Sequence, residues 1–565
     1  MAESHPVGAP LEDQLESESE GEEQEQHQDE ATEGTQDATG SSSGKAKKKK
    51  KKSKKAKLVS ALTGKKSNPE EPTDPSKPAA NLNSESLKTL LDMNPSLKGE
   101  LSGLSPEKAN ELLKKMDVSQ LLSGLSLSGK NQKDMASYKF WATQPVPRFD
   151  ENAEEEKPDG PIKEVIPELV SKTAAPLPEG YEWVELDLTN DEEIKEVYKL
   201  LSLHYVEDDH AMFRFNYSAV FLDWALKSPD WKKSWHVGVR AKGPSRLLVA
   251  TIFGIPIKLR IRQNVLDVVE INFMCVHKKL RSRRLAPVLI KEVTRRCHLE
   301  GIYQAIYTGG VVLPTPVGSC RYFHRSLDWL KLYEVGFSPL PPNMTQAKMI
   351  ARNQLPPNTS TTGWRKMEEK DVDAVHDLLS RYLERFDLAQ VFSRAEIVHW
   401  FLNREKHENQ VVWSFVVEDS DGKITDFGSF YCLESSVIGE MSKKHEKIRA
   451  AYLYYYATEH AFNPKEKGLK ERLLQLGQDL LIEAKKSSFP LIPGHADAEQ
   501  AKFDVFNALT LHDNPMFLEQ LKFGAGDGQL HHYLYNWRTK PINGGINAKN
   551  MPDESKRGGI GIVLL

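Results

Sequence analysis

A mixed α+β fold is predicted for residues 138–565 of this 565-residue chain. Segments with helical periodicity alternate there with runs rich in β-branched residues, a pattern that indicates packed layers of helix and sheet. A block with the order helix, helix, strand, strand, strand, helix also occurs twice, on either side of a polar, proline-containing stretch near residue 355. The repetition indicates a duplicated unit and predicts two halves, at residues 138–350 and 351–565.

The elements of each half follow from the spacing of apolar residues. In the first half, helices are predicted for EEIKEVYKLLSLHY, SAVFLDWAL and LAPVLIKEVTRRCH, and strands for RLLVATIFGIPIKLRI, DVVEINFMCV and YQAIYTGGVVL. In the second half, helices are predicted for EEKDVDAVHDLLSRYLERF, RAEIVHWFLN and LKERLLQLGQDLLIEAKK, and strands for NQVVWSFVVED, ITDFGSFYCL and RAAYLYYYAT.

The N-terminal part has a different composition, which the formal net charge of -4 conceals. Acidic residues and glutamines dominate residues 12–37, and a lysine run begins at Lys45 and ends at Lys57. Because blocks of like charge repel and do not pack, residues 1–83 are predicted to be a disordered, charged extension. Short helical periodicities predict a loosely helical lead-in at residues 84–137. The lysine run is either a solubilising tail or an electrostatic attachment to ribosomes, and we favour the attachment.

Composition also limits the class of protein. The 4 cysteines form no CxxC motif or Cys/His cluster, so neither a metal site nor a disulfide framework is predicted. No run approaches the roughly 18 apolar residues of a membrane span, and the N-terminus lacks a signal-peptide core. We therefore expect a cytoplasmic protein without a transmembrane segment. We also expect a monomer.

One segment, EINFMCVHKKLRSRRLAP at residues 270–287, carries the clearest chemical signal. It begins in a predicted buried strand and ends in a predicted amphipathic helix, so a basic connection lies at the start of that helix. Free N–H groups and the helix dipole favour an anion there, and added arginine and lysine suit a diphosphate. A phosphate cradle is therefore predicted. The alternatives are a solvated basic surface, a nuclear-localisation-like cluster and an RNA-contacting patch.

These residues resemble a known family. EINFMCVHKKLRSRRLAP is similar to the first signature of the N-myristoyltransferases, and KFGAGDG at residues 522–528 is similar to the second. Further similar stretches, in the same order, are YKFWATQPV, LHYVEDDHAMFRFNYS, YTGGVVLPTPVGSCRYFHRSL and the final GIGIVLL. The resemblance implies two tandem GNAT-like halves that form one saddle-shaped sheet. The first half is expected to bind acyl-CoA, and the second to bind peptide and to end in the catalytic C-terminus.

The resemblance implies transfer of a myristoyl group from myristoyl-CoA, as co-substrate, to the α-amine of an N-terminal glycine of peptides and nascent proteins. The backbone N–H groups of Phe273 and Met274 are implied to stabilise the oxyanion, and a β-bulge would turn both toward one oxygen. No familiar triad spacing supplies a base, and His277 and His324 could equally be structural. The implied base is the main-chain carboxylate of Leu565, which would explain a buried, apolar C-terminal run.

The resemblance also implies two sets of binding residues. Those expected to contact the acyl-CoA are Lys139, Phe140, Trp141, Phe273, Met274, Cys275, Val276, Arg281, Ser282, Arg284, Leu285 and Ala286. Those expected to contact the peptide are Tyr205, Val206, Asp208, Asp209, Phe213, Phe215, Tyr217, Asn272, Thr308, Gly310, Tyr322, His324, Ser435, Tyr452, Asp527 and Gly528. The aromatic members would form a narrow groove that excludes a side chain at the first position, and the aspartates could attract basic residues of the substrate.

Two positions differ from the family pattern. Met274 replaces the usual leucine, a change that we expect to be nearly silent if the residue acts through its backbone. Glu434 stands where proline is common, so the resemblance does not establish the local turn that it implies near the peptide groove. Two other functions stay open from the sequence. A GNAT-type acetyltransferase would use the same cradle without the second signature, and a ribosome-associated RNA-binding protein would use the lysine run.

Overall fold

The computed structural model describes residues 135, 138–149, 151, 158–208, 212–402, 410–462, 468–489, 501–547, 549–555 and 557–565. The charged extension, the lysine run and the lead-in apart from Met135 lie outside the described residues, as does Asp209. Residues Tyr138–Leu565 fall within one compact unit. Within the described part of the chain, every helix is too short or too polar to cross a membrane.

The first half contains the predicted helices and strands, with additional strands at its start and end. In chain order they are β1 (Tyr181–Glu185), α1 (Asp191–His204), β2 (Phe213–Asn216), α2 (Ala219–Leu226), β3 (His236–Ala241), β4 (Leu248–Ile261), β5 (Asn264–Val276), α3 (Leu285–Leu299), β6 (Ala305–Gly309), β7 (Gly318–Ser326), α4 (Trp329–Glu334) and α5 (Gln346–Arg352).

The second half repeats the order of the predicted block. Its elements are β8 (Trp364–Lys366), α6 (Val372–Leu383), β9 (Leu388–Gln390), α7 (Arg394–Phe401), β10 (Val412–Glu418), β11 (Ile424–Val437), β12 (Lys447–Thr458), α8 (Leu469–Lys486), β13 (Ser488–Phe489), β14 (Ala501–Lys502), β15 (Val505–Leu509) and β16 (Gly524–Tyr535).

Local sequence explains where several helices begin. The side chain of Asn190 accepts a hydrogen bond from the Glu192 N–H and caps α1, and Ser218 caps α2 in the same way. Helix α7 begins with a capping box, in which Ser393 and Glu396 satisfy each other's main-chain N–H groups. These side chains satisfy donors that a helix start otherwise leaves without partners.

One 14-stranded sheet joins both halves and confirms the predicted mixed fold class. Its strand order is β1-β3-β4-β5-β6-β16-β7-β15-β12-β11-β10-β8, with β2 paired to β11 and β9 paired to β4. Strand β16 comes from the second half but lies between β6 and β7 of the first. The halves that the sequence repeats are therefore interleaved in the sheet.

Strand β5 separates two groups of buried side chains. On one face, Val269 and Ile271 belong to a cluster that includes Leu289 and Val293 of α3. On the other face, Val268 belongs to the main core, which includes the apolar residues Ile560–Leu564 near the chain end. This alternation places helix α3 and the buried residues Ile560, Ile562, Val563 and Leu564 on opposite sides of the same strand.

Candidate active site

A cavity of about 300 Å³ lies where β5, β6 and α3 meet. Most of the side chains around it are apolar, as expected for a site that holds a hydrocarbon chain. Its aliphatic and aromatic lining includes Trp141, Ile252, Val269, Ile271, Ile290, Val293, Ile302, Tyr307 and Leu313. Phe273, Met274, Asn272, Thr308 and the last residue, Leu565, line the same cavity. Residues predicted for three different roles therefore meet in one place.

The predicted bulge in β5 is present. Thr251 pairs with Cys275 and Phe253 pairs with Asn272, so Ile252 alone lies opposite both Phe273 and Met274. Phe273 has φ of 48°, a left-handed conformation that costs a non-glycine residue on the order of 1–3 kcal/mol. The Thr251 hydroxyl donates to the Phe273 carbonyl over 3.1 Å and holds this conformation. A bulge releases its extra residue from the ladder, as an oxyanion site requires.

The predicted phosphate cradle forms a 3-10 helix, Lys278–Arg283, followed directly by α3. The imidazole Nδ1 of His277 accepts from the Lys279 N–H over 3.3 Å and caps this turn. Arg284 is exposed, adopts a left-handed conformation with φ of 57°, and places no side-chain cap on α3. The first N–H groups of α3 are thus left without a side-chain partner from this residue.

Several basic residues of the cradle already have protein partners. Lys278 forms an ion pair with Glu207 over 2.6 Å, and the Arg281 guanidinium donates to the main-chain oxygens of Val276 and His204. The Lys279 ammonium is buried and has no hydrogen-bond partner among the described residues. Lys279 lies in the basic segment predicted to form the cradle, but it was not among the residues that the resemblance implied to contact the acyl-CoA. Its buried, unpaired charge is the better indication of an anion in this segment.

Replacing Arg284 by glutamine is expected to weaken acyl-CoA binding by about tenfold or more, because a charge-assisted hydrogen bond contributes about 1.5–3 kcal/mol. The measurement is a titration of myristoyl-CoA at two salt concentrations. Lys291→Gln is the matched control, because it also removes one positive charge from an exposed residue, here on α3. We expect it to have little effect on the affinity. Equal affinities of the Arg284→Gln variant and the wild type would contradict the cradle.

The remaining residues of the predicted acyl-CoA set lie on either side of this centre. Trp141 begins a 3-10 turn, Trp141–Thr143, and stacks on Tyr307 with ring centroids 5.7 Å apart. Lys139 and Phe140 precede that turn, and Phe140 packs edge-on against Trp141. Of the other members, Cys275 and Val276 lie in β5, Ser282 lies in the 3-10 helix, and Leu285 and Ala286 begin α3.

Aromatic residues of the predicted peptide set form a connected cluster. Tyr217 contacts Tyr205, Phe215 and Phe273, with ring centroids 5.0–5.8 Å apart. Burial is the main cause that raises the pKa of Tyr217, and the hydroxyls of Tyr205, Tyr322, Tyr431 and Tyr452 act on it as well. Tyr431, absent from the predicted set, stacks on Tyr452. The structure thus brings together aromatic residues that are more than 200 positions apart in the sequence.

The second signature begins β16, and its glycines lie against two residues of β7. A Cβ at Gly526 would stand 2.3 Å from His324 Nε2, and one at Gly528 would stand 3.3 Å from the Tyr322 ring. The Arg321 guanidinium donates to the Gly526 carbonyl over 2.9 Å. These close approaches explain why the segment needs glycine. Asp527 and Gly528 are exposed at this point of the sheet.

The two histidines that the sequence left as possible bases are both hydrogen-bonded within the protein. His277 caps the cradle turn, and His324 Nδ1 contacts Asn507 Oδ1 over 2.7 Å. Burial lowers the pKa of each imidazole. Structural roles therefore account for the contacts of both.

The remaining peptide-set residues have different surroundings. The Asp208 carboxylate accepts from the N–H groups of Met212 and Phe213, so it stabilises its own loop. Val206 is 49% exposed, and Gly310 is also exposed. Phe213 and Ser435 lie where β2 pairs with β11.

The expectation that Glu434 lies in a turn was wrong. Glu434 lies within β11, three residues before its end, opposite Asn216 of β2 and Arg449 of β12. Its carboxylate accepts from Arg449 over 2.7 Å and from Lys447 over 3.0 Å. The two cations keep the pKa of Glu434 low despite its burial. The residue thus closes a charged contact between β11 and β12, two neighbouring strands of the second half.

The C-terminal residues are held by hydrogen bonds to the second half. The Gly561 N–H donates to the Leu388 carbonyl over 2.6 Å, and the Val563 N–H donates to the Tyr455 hydroxyl over 3.0 Å. Ile560 and Ile562 are fully buried. These contacts lead the chain to Leu565 in the cavity.

Gly561→Ala is expected to slow acyl transfer by about tenfold, because a displaced reactive group loses alignment. The added Cβ would stand 2.8 Å from Phe386 Cβ and would push the C-terminal residues away. Single-turnover rates measure the effect. A wild-type rate in this variant would contradict this account of the chain end.

Glu270 is a site residue that the sequence reasoning missed. Its carboxylate is 7% exposed, accepts from Asn272 Nδ2 over 2.6 Å and accepts from the main-chain N–H of Leu565. Burial raises the pKa of Glu270 to about 7. An acidic residue inside a predicted buried strand was the available signal, because such groups are rare without a partner.

Comparison with known proteins adds independent findings. Two family models match: myristoyl-CoA:protein N-myristoyltransferase, N-terminal domain, over residues 161–320, and its C-terminal domain over residues 334–563. The chain is 62% identical over 489 residues to the glycylpeptide N-tetradecanoyltransferase of Aspergillus fumigatus, with 86% of this chain and 96% of that protein covered. The glycylpeptide N-tetradecanoyltransferase of Saccharomyces cerevisiae is 48% identical over 446 residues, with 77% of this chain and 94% of the yeast protein covered.

A solved structure agrees with these similarities. The structure of Saccharomyces cerevisiae N-myristoyltransferase with bound myristoyl-CoA is similar to this chain, with a TM-score of 0.70 and 48% sequence identity. The similarity covers 76% of this chain and 95% of the yeast chain. Neither a GNAT-type acetyltransferase nor an RNA-binding protein is favoured by the similarities to curated proteins and family models.

Proposed function

The chain belongs to the myristoyl-CoA:protein N-myristoyltransferase family and is an acyltransferase, and we propose that it transfers a myristoyl group from myristoyl-CoA to the α-amine of an N-terminal glycine. One observation carries the proposal. The bulge at Phe273 and Met274, the apolar cavity and Leu565 meet in a single site. A hydrocarbon slot, an oxyanion site and a base are the three parts that direct acyl transfer to an amine requires.

Binding of the acyl-CoA is assigned to the cavity and the cradle. A saturated chain of about a dozen methylenes gains roughly 10 kcal/mol on burial, before the costs of binding. The diphosphate lies at the start of α3, where Arg284, Lys279 and free N–H groups supply positive charge. The thioester carbonyl then lies along β5 beside the bulge.

The chemical step begins with the glycine ammonium, whose ordinary pKa of about 7.7–8.0 keeps it mostly protonated at neutral pH. The main-chain carboxylate of Leu565 takes one proton, and the nitrogen lone pair attacks the thioester carbon. The N–H groups of Phe273 and Met274 donate to the oxyanion. The carbon–sulfur bond then breaks with its electron pair on sulfur. The second nitrogen proton ends on that sulfur, so the products are the amide, the CoA thiol and one released proton.

Selection of glycine is assigned to the aromatic cluster around Tyr217. Tyr205 and Phe273 of this cluster line the cavity together with Leu565, so we assign to these rings the exclusion of a Cβ at the first substrate position. Asn272 and Thr308, which line the cavity beside Leu565, orient the amine.

The proposal is tested by incubating the full chain with myristoyl-CoA or acetyl-CoA and with peptides that begin with glycine or alanine. Intact mass identifies the product, and release of the CoA thiol gives the rate. We expect rapid myristoylation of the glycyl peptide and much slower reaction of the other three pairs. Faster acetyl than myristoyl transfer would overturn the proposal in favour of an acetyltransferase.

A further inference from the structure

Glu270 is a buried carboxyl group that the reaction scheme above does not use. Within the described residues it forms no ion pair, and its recorded partners are the Asn272 amide and the Leu565 N–H. Removing a carboxylate from water without a cation is costly, and an apolar side chain of similar size would avoid that cost. Packing alone therefore explains this residue poorly.

The surroundings of Glu270 are rigid and connect it to the reacting centre. It pairs with Ile255 of β4 and Ile306 of β6, so its backbone is fixed on both sides. The bulge begins at Phe273, three residues further along β5. One strand thus contacts the last residue of the chain and also presents the oxyanion site.

We propose that Glu270 is a positioning residue, whose carboxylate holds the main-chain N–H of Leu565 and thereby fixes the terminal carboxylate relative to the bulge. The inference rests on the proposed function, because it supports the base assigned there. A hydrogen bond to a charged acceptor is stronger than one to a neutral acceptor. The ionised side chain also raises the proton affinity of the neighbouring terminal carboxylate, which makes that carboxylate a better base.

The proposal has a consequence for pH dependence. Because the pKa of Glu270 is about 7, the group is mostly protonated below neutral pH and mostly ionised above it. Its contribution to the rate should therefore rise as pH increases through 7. Among the described residues, the titratable side chains that interact with Glu270 are the hydroxyls of Tyr431, Tyr454 and Tyr455. The terminal carboxylate belongs to Leu565, the residue whose N–H donates to Glu270. Burial raises the pKa of each of these tyrosines, so they stay protonated over this range.

The test compares Glu270→Gln and Glu270→Leu with the wild type in the full chain. Single-turnover transfer is measured at saturating myristoyl-CoA and glycyl peptide, at pH values on both sides of 7. Glutamine keeps an acceptor but not the charge, so we expect about tenfold slower transfer and a flatter pH profile. Leucine keeps neither, and about hundredfold slower transfer is expected. The peptide amine titrates identically in every assay, so differences between profiles report on position 270.

Two controls separate positioning from folding. The affinity for myristoyl-CoA is expected to stay within about twofold of wild type in both variants, because the cradle does not contact Glu270. Asp479→Asn changes another buried acid, whose carboxylate accepts hydrogen bonds from the N–H groups of Ser360 and Thr361. It is expected to lower the melting temperature and to leave the rate and its pH profile unchanged. The Glu270→Gln variant answers the question if the leucine variant fails to fold.

Two results would overturn the inference: a Glu270→Gln variant with the wild-type rate and pH profile, or a loss confined to myristoyl-CoA affinity. A chain that ends at Ile562 distinguishes this failure from failure of the proposed function. If that truncation also leaves transfer unchanged, the terminal base is wrong. If the truncation abolishes transfer while the Glu270 variants are normal, only the positioning role is wrong.

Discussion

A chain that ends at Ile562 is expected to transfer acyl groups about 10² to 10⁴ times more slowly than the wild type, the usual contribution of a positioned general base. The truncation removes the Val563 contact with Tyr455 and takes the terminal carboxylate out of the cavity. Myristoyl-CoA binding should survive, because the cradle lies at the start of α3. Single-turnover rates at confirmed acyl-CoA saturation measure the effect.

Leu565→Ala is the matched control for this truncation. The terminal carboxylate stays where it is and only side-chain packing is lost, so a much smaller effect is expected. Intact mass of each preparation establishes that the polypeptide ends at the intended residue. Equal rates for the truncated and wild-type chains would make His277 or His324 the next candidates for the base.

Replacing the amide N–H of Met274 by an ester oxygen is expected to slow transfer by about 10² to 10³, because loss of one oxyanion donor costs about 2.7–4 kcal/mol. The substitution is made with the α-hydroxy acid analogue of methionine, which leaves the side chain unchanged. Ordinary substitutions at this position should matter little, since the Met274 side chain is 39% exposed. The rate of a single turnover is again the measurement.

An ester at Ile166 is the control for the Met274 ester. Ile166 is 53% exposed, and its N–H donates no backbone hydrogen bond within the described residues. The chain with the ester at Ile166 should therefore transfer acyl groups at the wild-type rate. A Met274 ester that is equally fast would show that this N–H does not stabilise the oxyanion, and the bulge would need another explanation.

Local features of the site could be predicted from the sequence. The strand that ends at Val276, the basic turn and the helix that begins at Leu285 all follow from periodicity over short windows. The predicted strand YQAIYTGGVVL is shorter than expected: β6 ends at Gly309, where two successive glycines weaken a strand. Val311, beyond that point, is 50% exposed.

Long-range features could not be predicted, because periodicity carries no information on which distant strands pair. Strand β16 lies between β6 and β7, and its pairing with β6 places Tyr535 opposite Ala305, 230 positions away in the sequence. For the same reason, Glu270 looked like one more residue of a buried strand. Its partner, the N–H of Leu565, is almost 300 residues further along the chain. Asp208 illustrates the opposite limit, since its carboxylate caps a loop next to it in sequence.

The central claim, that the terminal carboxylate of Leu565 is the base, is tested most directly by converting that group to a carboxamide. Ligation of a synthetic C-terminal peptide gives a chain of unchanged length and side chains that differs only in this charge. With myristoyl-CoA and glycyl peptide saturating, single-turnover transfer by the carboxamide is expected to be at least about 10² slower than by an identically ligated carboxylate, with unchanged myristoyl-CoA affinity. Equal rates for the two ligated chains would contradict the claim.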